Sequence, residues 1–160
     1  NFTIDQLQKQ IERTSYSIVH LASHGQFSAN LEKTFILTHD QKLSMDKLEQ
    51  LMSLKTFQNK PVELLILSAC ETAVGDDRAA LGLAGVALKA GVRSALASLW
   101  RVDDEATPMI TMEFYRQLQQ PGMSKAKALQ NSQKKMIASD HPYHSHPYFW
   151  SAFLLIGNWF

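Results

Sequence analysis

One thiol and one imidazole stand out because each follows an apolar run and sits where that run breaks. Cys70, the only cysteine of the chain, lies just past Val62–Leu67 in the turn Ser68-Ala69-Cys70-Glu71-Thr72-Ala73. His24 follows a second run, Tyr16–Ala22, within Ser23-His24-Gly25. A thiol attacks as its thiolate, and an imidazole within reach is the usual base that generates one. Taken singly, each has a duller use. A cysteine after an apolar strand serves as a small buried hydrophobe, and a histidine beside a glycine serves as a turn residue. As a pair they are a nucleophile and its base, provided the fold brings the two run ends together.

The surrounding pattern supplies that provision. Val62-Glu63-Leu64-Leu65-Ile66-Leu67 reads as a strand buried on both faces, as inside a parallel sheet. In open α/β sheets the carboxyl ends of such strands carry the chemistry. Thr3 reads as an N-cap with Gln6 completing a weak capping box, and Ile4, Leu7 and Ile11 fall on one helical face. Residues 17–23 predict the first strand, closed by His24-Gly25, and Phe35-Ile36-Leu37 a short one. Ser44 predicts the cap of a helix whose Met45, Leu48, Leu51 and Met52 share a face. Pro61 introduces the central strand, and residues 74–78, with Asp76, Asp77 and Arg78, read as a solvated loop. Residues 81–89 predict a small-residue helix stopped by Gly91. Residues 92–100 predict another buried strand. Asp103 is expected to cap the next helix, with Pro108 in its opening turns and Pro121-Gly122 at its end. Ser124 begins a last helix to about Ile137; residues 141–149 read as a loop, and 151–156 as a final strand. Strands alternating with helices make an α/β sandwich.

Bulk properties narrow the function classes. A chain of 160 residues suits one domain with a sizeable core. With 45% hydrophobic and 19% charged residues it is globular rather than disordered. A formal charge of +1 gives no strong drive toward nucleic acid or anionic membrane. No apolar run reaches the roughly 18–20 residues of a membrane span, and the first ten residues lack a signal-peptide pattern. One cysteine makes no intrachain disulfide, so a reducing cytoplasm is the expected compartment. The chain opens on Asn1, the expectation being a piece of a longer protein. Neither Gly-x-Gly-x-x-Gly nor Gly-x-x-x-x-Gly-Lys-Ser/Thr follows any strand, which disfavours a nucleotide-binding domain. His141, His144 and His146 lie in a Pro-broken loop where no dedicated metal site is expected. No cofactor is implied.

Several separated motifs resemble the CHAT family, caspase-like domains often fused to tetratricopeptide repeats and related to separases and the caspase–gingipain clan. They are Tyr16-Ser17-Ile18-Val19-His20-Leu21-Ala22-Ser23-His24-Gly25, Leu67-Ser68-Ala69-Cys70-Glu71-Thr72-Ala73 and Gly82-Leu83-Ala84-Gly85. Ala90-Gly91-Val92, Ala97-Ser98-Leu99-Trp100-Arg101-Val102-Asp103-Asp104 and His146-Pro147-Tyr148-Phe149-Trp150-Ser151-Ala152-Phe153 agree in the same order. The 46 residues from His24 to Cys70 are also similar to the caspase interval of roughly 50.

The resemblance implies one domain over residues 1–160, the C-terminal part of a longer protein. Its fold would be a caspase-like three-layer α/β/α sandwich with a mostly parallel central sheet, truncated at the N-terminus. It implies a cysteine endopeptidase: Cys70 the nucleophile, His24 the acid/base, and the backbone N–H groups of Gly25 and Cys70 the oxyanion hole. Ser68, two residues before the nucleophile, would line the specificity pocket, small and uncharged where relatives carry Gln or Asp. Asp103 and Asp104 follow the next strand; they read as binders of a basic side chain or as capping and helix-dipole charges. Trp100, Pro147, Tyr148 and Trp150 read as packing residues. The implied partners are a protein or peptide substrate and a flanking regulatory repeat domain, with neither nucleic acid nor membrane. A sheet edge left uncovered would favour self-association. The rival reading is a catalytically silent module of the same shape.

Overall fold

Thr3 does what its position predicts: its hydroxyl accepts from the Gln6 N–H and opens α1 (Ile4–Arg13), which buries Ile4 and Ile11. The computed structural model describes residues 2–28, 30–54, 60–68, 71–72, 85–100, 104–141 and 143–160. After α1 come β1 (Ile18–Leu21) and β2 (Gly25–Phe27), then a 3-10 turn at Leu31–Lys33. Next are β3 (Phe35–Leu37), β4 (Lys42–Ser44) and α2 (Met45–Met52), whose first turn is capped by the Ser44 hydroxyl. Then follow β5 (Leu64–Leu67), β6 (Glu71–Thr72) and α3, described over residues 85–89. The chain ends with β7 (Ser94–Ser98), α4 (Ala106–Leu118), α5 (Lys125–Ile137), α6 (Pro147–Trp150) and β8 (Phe153–Gly157). The Ser124 hydroxyl caps α5 as the sequence predicts.

The main sheet has the order β1-β5-β7-β8, with β1, β5 and β7 parallel and β8 antiparallel to β7. All four residues of β5 are buried, and the two-residue period of a strand divides them between two cores. Leu65 and Leu67 join Ile11, Leu48, Leu51 and Val86 from α1, α2 and α3. Leu64 and Ile66 join Ile110, Phe114 and Leu129 from α4 and α5. Helices therefore cover both faces, which is the three-layer sandwich expected from the sequence. Truncating Leu65, fully buried, should cost about 2–5 kcal/mol through lost transfer energy and a residual cavity.

A second, smaller sheet was not foreseen. Its order is β4-β3-β2-β6, an antiparallel meander of β2, β3 and β4 with β6 added parallel to β2. Strands of two or three residues are too short to show a periodicity. What fixes this sheet is burial: Ile36 and Leu43 are fully enclosed in the core that also holds Leu65 and Leu67.

Three local expectations change. Gly25 does not end a strand but begins β2. Residues 141–149 are not all loop, because Pro147 occupies the first turn of α6, where its missing N–H costs nothing. The His146 ring accepts from the Tyr148 N–H there. Helix α4 starts at Ala106 with Glu105 at the N-cap, so the cap is not Asp103. Asp103 itself lies outside the described residues, as do Cys70, the loop with Asp76, Asp77 and Arg78, and residues 81–84 of the small-residue helix. Gly91 does stop α3, at φ +90°. Gly157, at φ +96°, ends β8 where a Cβ would stand 2.8 Å from Leu88 Cδ2 and closer still to the Arg93 carbonyl.

Trp100 and Trp150 pack against the second core. The Trp100 indole donates to the Tyr148 carbonyl at 2.9 Å. Among the described residues no strand pairs with the outer edge of β1, and no helix is long and apolar enough to cross a membrane.

Candidate active site

The His24 segment and the Cys70 segment each join one strand of the main sheet to one strand of the small sheet. On the main-sheet side Leu21 stands opposite Leu67 in the parallel β1–β5 pair. On the small-sheet side Gln26 stands opposite Glu71 in the parallel β2–β6 pair. Residues 22–25 therefore cross between two sheets that the chain from Leu67 to Glu71 also joins. The first step of that crossing is held by Ser68, whose N–H donates to the Leu21 carbonyl at 3.2 Å.

The His24 segment is tied down from the other side by β3. The Leu37 N–H donates to the His24 carbonyl at 2.7 Å, and the Ser23 hydroxyl donates to the Leu37 carbonyl at 2.6 Å. Gly25 faces Ile36 across the β2–β3 pair. Because the bonding pair next to it runs from Leu37 to His24, Gly25 sits in the non-bonded register, with its own N–H turned away from β3 and toward the β6 side. Gly25 is buried, while the His24 ring is exposed. Among the described residues that ring has no hydrogen-bond partner.

A cleft of about 480 Å³ opens beside these strand ends, lined by His24, Ser23, Ser68, Asp104, Thr111 and Tyr115 among others. Two of the residues singled out from the sequence for substrate contact, Ser68 and Asp104, thus share one cavity with His24. Helix α4 supplies one wall, through Thr107, Thr111, Met112 and Tyr115.

One functional candidate escaped the sequence reading. His20, on β1, reaches the same cleft. Its Nε2 stands 2.7 Å from Ser68 Oγ, and its Nδ1 stands 3.0 Å from the Tyr115 hydroxyl. Burial by its neighbours holds the His20 pKa below the ordinary 6.5, and burial raises that of Tyr115. The available signal was the spacing of His20 and His24, since residues four apart along a strand share a face. Only Tyr115, far along the chain, completes the arrangement.

The third group of histidines does something else. His141 and His144 stack with ring centroids 3.8 Å apart, and His144 is buried against Phe149. Stacked rings present their faces, not their nitrogens, to one another. Among the described residues no three His, Cys, Asp or Glu side chains converge on a point that would hold a metal.

A mostly parallel sheet between two helical layers, with a histidine and a cleft at the carboxyl ends of its strands, defines a caspase-like, peptidase-related α/β domain. The CHAT domain model matches residues 1–158, and the chain belongs to that family. No curated protein matches the chain.

Proposed function

We propose that this domain is a cysteine endopeptidase in which Cys70 and His24 form the catalytic dyad. His24 takes the proton of the Cys70 thiol, and the thiolate adds to the carbonyl carbon of the scissile bond. His24 then returns the proton to the leaving amine, a water hydrolyses the thioester, and the thiol is regenerated. The N–H groups of Gly25 and Cys70 are the donors to the oxyanion, and a glycine at 25 leaves the tetrahedral intermediate room.

One observation carries the reading. The registers Leu21–Leu67 and Gln26–Glu71 pair the strands before and after both His24 and Cys70 in the chain, and His24 lines a cleft beside them.

The test is alkylation of Cys70 by iodoacetamide across pH, wild type against His24→Ala. The expected result is fast alkylation near neutral pH that falls by about a hundredfold without the imidazole base. Digestion of a peptide library by the wild type should follow. Slow alkylation indifferent to His24, in protein shown to be folded, would overturn the dyad and leave a silent module of the same shape.

A further inference from the structure

We propose that the cleft selects a lysine or arginine side chain, which Asp104, Ser23, Thr111 and Ser68 receive as hydrogen-bond acceptors. This rests on the peptidase reading for where a substrate lies, but the chemistry of selection stands on the cleft's own described residues.

Asp104 is the one carboxylate among the described lining residues, and neither lysine nor arginine lies among them. The Ser23 hydroxyl spends its hydrogen on the Leu37 carbonyl at 2.6 Å. The Thr111 hydroxyl spends its own on the Thr107 carbonyl at 2.6 Å. A hydroxyl has one hydrogen and two lone pairs, so both groups face the cleft as acceptors only.

Ser68 is set by the relay behind it. A neutral imidazole donates from one nitrogen and accepts at the other. When Ser68 donates to His20 Nε2, His20 Nδ1–H donates to the Tyr115 oxygen, and the Ser68 lone pairs are open to a ligand. When Tyr115 donates to Nδ1, Nε2–H donates to Ser68, and the Ser68 hydrogen is open instead. An ammonium or guanidinium has donors and no acceptor, so it draws the relay into the first state. A carboxylate needs the second, and then meets Asp104 and two acceptor-only hydroxyls. An apolar side chain leaves these groups without partners and loses their hydration. The volume of about 480 Å³ admits a long side chain.

Two measurements on the full chain separate this proposal from the dyad. In the first, N-acetyl methylamides of arginine, lysine, glutamate and leucine are titrated while the imidazole resonances of His20 and His24 are followed. The arginine and lysine compounds should shift them saturably, with affinity about tenfold above the leucine compound, an advantage that Asp104→Asn removes. Thr111→Val should remove part of it. Equal affinity for all four compounds, none for any, or an advantage untouched by Asp104→Asn would overturn the proposal. In the second, peptidyl acyloxymethyl ketones differing only in the residue before the reactive carbonyl are compared for Cys70 labelling. Labelling ranked as in the titration supports both readings. A basic preference in the titration with no labelling by any ketone sinks the dyad and keeps the selectivity. Labelling without preference, or with an acidic or apolar one, keeps the dyad and sinks the selectivity.

Discussion

Helix α4 holds two polar clusters two residues apart, hence on opposite sides of the helix, and they are built on different principles. Glu113 is buried and fully engaged: it accepts from Arg116 Nε at 2.9 Å, Gln117 Nε2 at 2.7 Å and Lys135 Nζ at 2.8 Å. The Arg116 hydrogen bond is the chief reason its carboxyl is held down at about 2, against the opposing effect of burial. Tyr115 instead starts a neutral chain through His20 to Ser68 that ends in a cleft. A cluster whose partners all belong to the fold stabilises it. A chain of hydrogen bonds whose last member faces a cavity leaves that member available to a ligand. The first cluster should therefore register in stability and the second in binding.

The largest expected effect lies on the ionic side. Glu113→Ala should lower the unfolding free energy by about 2 kcal/mol in urea titration, because α4 and α5 lose the ionic link that Glu113 makes to Lys135. Arg116 and Lys135 are themselves exposed and regain water, which keeps the loss from being larger. The iodoacetamide rate of the folded variant should match the wild type. A rate loss comparable to that of His24→Ala would break the contrast between the two clusters.

Acid sharpens it. A carboxyl whose folded pKa lies near 2, below its ordinary 4.5, contributes stability that is complete above 4.5 and lost as the pH falls toward 2. Melting temperatures of the wild type should therefore drop across that window by more than those of Glu113→Gln. Equal slopes would mean that the cluster does not hold the helices together.

How much of this was legible in the sequence depends on the length over which a signal accumulates. The main sheet was readable because β5 is an unbroken apolar run, because β7 sits in a stretch of small and apolar residues, and because Thr3, Ser44 and Ser124 announce their helices by capping. The place of His24 just past a strand end was readable from the apolar run before it. Of the small sheet only β3 was, as the short strand Phe35-Ile36-Leu37, since β2 and β6 owe their pairing to each other across some 45 residues. His20 was not, because its meaning comes from Tyr115, 95 residues away. A start at Ala106 rather than after Asp103 was beyond reach for a plainer reason: helix ends are set by tertiary contacts as much as by cap residues.

The smaller effects test the neutral side. Tyr115→Phe keeps the ring that packs beside His20 and Phe114 but removes the hydroxyl. Stability should change by less than about 1 kcal/mol, while the affinity for the arginine compound should fall about threefold, because Nδ1–H no longer has an acceptor and Ser68 is no longer steered.

His20 gives the finest distinction. Burial disfavours its charged form, so the folded protein resists protonating it where the unfolded chain already does so at its ordinary 6.5. Its contribution to stability is complete above 6.5 and declines as the pH falls through the lowered folded value. Imidazole resonances should accordingly place the His20 midpoint below 6.5. Saturating arginine compound should move that midpoint lower still, because a bound cation opposes a second positive charge on the relay. A glutamate compound that did the same would show that the shift comes from excluded water and not from charge. A His20 midpoint at 6.5 or above would mean the ring is solvated and the relay is not formed in solution. Tyr115 and Glu113 would then differ only in how tightly each braces the same helix.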